Sequence, residues 1–150
     1  MYFKVIMAAI LLSLLSPLMA DDGLITKPSA HTVDATVQRL KNIFDKKGVR
    51  LFAHVDHQNS AAGVQLKLNK LQLLIFGNPR LGTPLMQSNP TAGIDLPMKA
   101  LVWEDTKGKV WLAYNDPAYL AQRHGISDRQ GVIKKMSGAL NKMTSVATAP

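Results

Sequence analysis

No cysteine occurs anywhere in the 150 residues, and that single absence removes several chemistries at once. Disulfide staples, thiolate metal sites, cysteine nucleophiles and covalent c-type haem, which needs a Cys-x-x-Cys-His run, are all excluded. Aromatic residues are sparse at 6%, and 10 acidic residues face 18 Lys and Arg, a formal charge of +8. Acids this few, scattered around Asp56, Asp95, Glu104 and Asp116, make no paired-carboxylate pattern, and no serine stands in a nucleophile elbow. No internal repeat or low-complexity tract is present, so enzymatic activity is unsupported by any motif.

The one long apolar run, Val5 to Leu15, is too short for the roughly 20 residues a membrane-crossing helix needs. Lys4 precedes it, and Pro17, Ala20 and two acids, Asp21 and Asp22, follow. This is the pattern of a secretion signal cut after Ala20, although Leu18 stands where a small residue is preferred. The chain therefore divides into a signal peptide (1–20), one domain (21–145) and a flexible tail (146–150), with a periplasmic or secreted mature protein and no transmembrane span in it. Losing Lys4 leaves 17 basic residues against 10 acids, a charge of +7. A mature chain of about 130 residues buries roughly two thirds of its unfolded surface, enough for one packed core. A pI of about 9.9 invites a polyanion partner. Export and the scattering of Lys41, Lys67, Lys107 and Lys134 speak against nucleic acid.

Gly23 to Lys27 suits a first edge strand ending at Pro28. Thr32 is placed to cap a helix in which Val33, Val37, Leu40, Ile43 and Phe44 recur at helical spacing, with Lys46, Lys47 and Gly48 closing it. From Val49 to Asp56 the period changes to two, and Val64, Leu66 and Leu68 alternate likewise after the turn-prone run 59–63. Leu71 to Phe76 is apolar throughout, as a central strand is. The four prolines of 77–97 predict a long loop with one short helical turn at Thr83 and Pro84. Met98–Asp105 and Lys109–Tyr114 read as a hairpin that sets Trp103 opposite Trp111. Pro117–Arg123 and a last amphipathic stretch bearing Val132, Ile133, Met136, Leu140 and Met143 read as helices.

Five runs lie in order along the mature chain: Phe52-Ala53-His54-Val55-Asp56-His57, Leu74-Ile75-Phe76-Gly77-Asn78-Pro79, Gly82-Thr83-Pro84-Leu85-Met86, Gly93-Ile94-Asp95-Leu96-Pro97 and Trp111-Leu112-Ala113-Tyr114-Asn115-Asp116-Pro117. Together they resemble the bacterial family called domain of unknown function 302. The resemblance implies a two-layer α+β domain: a strand, a helix, about four antiparallel strands and a terminal helix. It also implies pairing as a homodimer. It implies no activity, since the family has none agreed.

His54, Asp56 and His57 at a strand end are the most suggestive constellation, because imidazole is the commonest metal ligand. On a regular strand His57 points away from His54, so chelation would need a bend. One alternative is a noncovalent haem or a metal ion held by His54 with His57 or Met86. The ordinary alternative is a strand histidine bonded to its neighbours. The expected site is a small-ligand site between the 77–97 segment and the sheet end carrying His54, with Asp56, Asn78, Arg80, Thr83, Asp95 and Asn115 at its rim. His31 and His124 read as helix-terminal polar residues, and the methionines as core.

Overall fold

The computed structural model describes residues 22–150; the signal peptide expected at 1–20 lies outside them. Five strands and five helices follow in order: β1 (Leu24–Ser29), α1 (Val33–Lys47), β2 (Arg50–Asp56), α2 (His57–Gly63), β3 (Leu71–Gly77), α3 (Pro79–Ser88), β4 (Met98–Glu104), β5 (Val110–Asn115), α4 (Pro117–Arg123) and α5 (Gln130–Thr148), with a 3-10 turn at Pro90–Ile94. The strands form one antiparallel sheet in the order β1-β5-β4-β3-β2. The α+β class expected from the sequence is what the chain adopts.

Alternation sorts each strand onto two faces. Leu74 and Phe76 of β3, Met98, Ala100 and Val102 of β4, and Leu112 and Tyr114 of β5 are buried in one core with Val33, Val37, Leu40 and Phe44 of α1 and with Ile133, Met136, Leu140 and Met143 of α5. Phe44 stacks on Phe76 with ring centroids 4.3 Å apart. On the other face Leu73, Leu101, Trp103 and Trp111 stay half-buried. There Trp103 pairs with Trp111, their rings 6.5 Å apart and nearly parallel.

Helix α1 obeys its sequence signals: the Thr32 hydroxyl accepts from the Ala35 N–H, and Gly48 closes the helix at φ +63°, a left-handed value that glycine takes without Cβ strain. Three segments depart from expectation. The 77–97 loop contains a ten-residue helix: Pro79 occupies its first turn, with the Asn78 side chain accepting from the Arg80 N–H, Pro90 opens the 3-10 turn, and Pro84 stands inside the helix, where its missing N–H leaves one helical bond unmade. Residues 64–69 alternate like a strand but pair with none, and the five-strand order runs without them. Finally, the expected tail at 146–150 carries the last turn of α5. Ala147 is fully buried there, and Arg39 donates to the carbonyls of Val146, Ala147 and Ala149.

Candidate functional site

An apolar opening lies where β2 begins, β3 ends and β4 begins. A groove of about 540 Å³ runs between α3 and α5, within the size range of small-molecule sites. Its floor is core: Phe76, Met98, Met136, Leu140 and Met143. Leu81, Gly82, Thr83 and Met86 of α3 make one wall, Leu96 and Pro97 a second, and Val49 and Phe52 a third. Among the described residues its single charged lining residue is Lys47, at the C-terminus of α1. The wall exists because Asn78 and Pro79 start α3 immediately after β3, which lays the helix across the sheet end.

Of the residues expected at a ligand site, Asn78 and Thr83 line this groove, and Met86 does too. The others are elsewhere. Asp56 caps α2, its carboxylate accepting from the Asn59 N–H at 2.9 Å. Asn115 ends β5 opposite Leu24. Arg80 is exposed on α3 and does not line the groove.

His54 lies outside the groove, within a polar chain between α1 and the β2–β3 pair. Lys41 donates to its Nδ1 at 3.0 Å, so its Nε2 carries the hydrogen and donates to Gln72 Oε1 at 2.8 Å. Gln72 Nε2 in turn donates to Asp34 Oδ1 at 2.8 Å, and Asp34 pairs with Lys70. The Lys70 ammonium, with help from Gln72, holds the Asp34 carboxyl below the usual carboxylate range. Both ring nitrogens of His54 are thus occupied by protein. His57 sits in the first turn of α2 and Met86 in the groove wall, so the three residues considered as haem or metal ligands occupy three different elements. Among the described residues, no group of three or more His, Asp or Glu is placed to hold a metal ion.

A second polar cluster was missed by the sequence reading. His124, taken as a helix-terminal cation, is buried, with Nε2 2.6 Å from Asp95 Oδ2 and Nδ1 2.9 Å from Thr91 Oγ1. Asn89 Nδ2 donates to the His124 carbonyl at 2.7 Å, and Arg123 reaches the other Asp95 oxygen at 3.3 Å. Asp95 therefore clasps the segment that delivers Leu96 and Pro97 to the groove wall. Only its place beside two groove residues signalled that role.

Comparisons with known proteins place this architecture. The model of the family described as "Domain of unknown function DUF302" matches residues 25–143. A solved structure of an uncharacterized conserved DUF302 protein from Bacillus stearothermophilus superposes with a TM-score of 0.68, covering 85% of this chain and 97% of that one; at 16% identity the likeness concerns the fold. Two curated proteins named Fluoride-specific ion channel FluC 1, from Brucella suis and Brucella abortus, are each 45% identical to this chain over 128 residues. The match takes in 85% of this chain but 50% and 47% of those proteins, so the chain spans about half the length of the curated relatives it matches. Among the described residues no helix is long and apolar enough to cross a membrane.

Proposed function

Because the chain belongs to the domain of unknown function DUF302 family, whose name assigns no chemistry, we propose from the groove itself that the protein is an exported module that binds a small apolar ligand between α3 and α5. The observation that carries this reading is the volume of about 540 Å³ enclosed by apolar side chains and opening at one end of the sheet. Water inside such walls finds few polar partners, so an apolar guest replaces it favourably. Export rests on the leader-like run Val5–Leu15 that follows Lys4.

The test is uptake of the neutral fluorescent probe N-phenyl-1-naphthylamine by the purified protein, with Gly82→Phe as the blocked variant. A Cβ at Gly82 meets nothing nearer than Leu96 Cδ1 at 3.9 Å. The helix accepts the side chain, which then occupies the groove. Saturable uptake by the parent and its loss in the variant are expected; equal uptake by both would refute the groove as the site. The same reading takes two copies to pair over the half-buried sheet face at Leu73, Leu101, Trp103 and Trp111. A monomer mass in sedimentation would remove the pairing and leave the groove reading intact.

The Brucella relatives favour a second reading, in which the domain serves a fluoride channel as a companion. A strain deleted for this chain would then become fluoride-sensitive. Unchanged fluoride tolerance would dismiss the idea.

A further inference from the structure

We infer that the ligand of the groove is an anionic amphiphile, a flexible acyl-type chain with a single negative head, and that Lys47 receives the head; this rests on the groove being a binding site. Three observations support the assignment. First, the lining contains one charge, and it is positive: Lys47 is exposed, no acid joins it at the wall, and among the described residues its ammonium has no hydrogen-bond or ion-pair partner. Nearby, Arg50 lies over the ring of Phe52, a lining residue, with its guanidinium carbon 4.8 Å from the centroid, which adds a second positive group to the same side.

Second, the polar rim is made of donors. Among the described residues, the Asn78 amide nitrogen and the Thr83 hydroxyl donate to no protein acceptor, while Asn78 Oδ1 is already taken by the Arg80 N–H. An ammonium, an amide N–H and a hydroxyl suit a carboxylate or similar acceptor-only head, whereas a cationic head would find the Thr83 hydroxyl oxygen as an acceptor only beside the Lys47 charge that repels it. Third, four of the seven methionines, Met86, Met98, Met136 and Met143, line this one groove. Unbranched thioethers repack around a mobile chain more readily than branched side chains do. A rigid planar guest would instead favour a stiff wall.

The experiment is competition for bound N-phenyl-1-naphthylamine by three twelve-carbon amphiphiles used below micelle formation: dodecanoate, dodecanol and dodecyltrimethylammonium. Dodecanoate is expected to compete best, by about fivefold over dodecanol, the size of one partly exposed ion pair. In the Lys47→Gln variant, with competition read against that variant's own affinity for the probe, dodecanoate and dodecanol are expected to compete equally. Equal competition by all three in the parent, or a preference that survives Lys47→Gln, would overturn the inference while the groove reading stands. Failure of the parent to bind the neutral probe would instead bring down the groove reading itself. Sedimentation with anionic vesicles, combined with no competition by dodecanoate, would overturn the free amphiphile in favour of a membrane surface.

Discussion

The groove between α3 and α5 and the polar chain from Lys41 to Lys70 meet the same sheet, and they invert what their residues suggest. The polar chain holds a histidine, a carboxylate, an amide and two ammonium groups, yet its members bond one another and present His54 with both ring nitrogens engaged. The groove is built from methionine, leucine, glycine and proline, and it encloses space. Reactive-looking side chains gathered at a partly buried place satisfy each other because an unpaired polar group there costs free energy. Apolar side chains carry no such demand. They can leave room for a guest.

The comparison breaks first at the groove floor. Phe76 is buried beneath the groove and stacked on Phe44, so Phe76→Ala is expected to cost ~3–5 kcal/mol in urea unfolding and to weaken probe binding. The clasp beside the wall comes next: Asp95→Ala strands the buried His124 imidazole without its carboxylate, with an expected loss of ~1–3 kcal/mol. A full-strength urea midpoint in that variant would show the clasp to be ornamental.

Smaller still is His54→Ala, which removes the Lys41 and Gln72 bonds from an exposed edge strand. About 1 kcal/mol of stability should go, with N-phenyl-1-naphthylamine uptake unchanged; loss of uptake would return the site to His54. Smallest is acid sensitivity. The folded state holds the Asp34 carboxyl low through Lys70, so its contribution is present above the unfolded carboxylate value of about 4 and is lost as pH falls below it. The stability difference between parent and Asp34→Asn should therefore shrink to nothing at low pH. A difference that persists there would mean the pair does not stabilise the fold.

Much of the fold was legible. Helix α1 follows its cap, its periodicity and its closing glycine, and the Trp103–Trp111 pairing follows from hairpin register. Helix α3 was hidden by its prolines, since a count of prolines does not say which turn of a helix each will occupy. The alternation of Val64, Leu66 and Leu68 promised a strand, but alternation says only which way side chains point, and these residues pair with no strand. For the candidate site, Asn78 and Thr83 of the expected rim line the groove, as does Met86, which the sequence offered as a haem or metal ligand, while Asp56 caps the helix that follows it and Asp95 bonds His124 on a distant element.

By itself, then, the sequence determined which chemistry is absent and which faces of each helix and strand are apolar, since both depend on residue type and local spacing. Tertiary structure alone decided where those faces fail to close. The groove arises where α3 and α5 meet at one end of the sheet, a relation among residues 47 to 143 that no local pattern encodes.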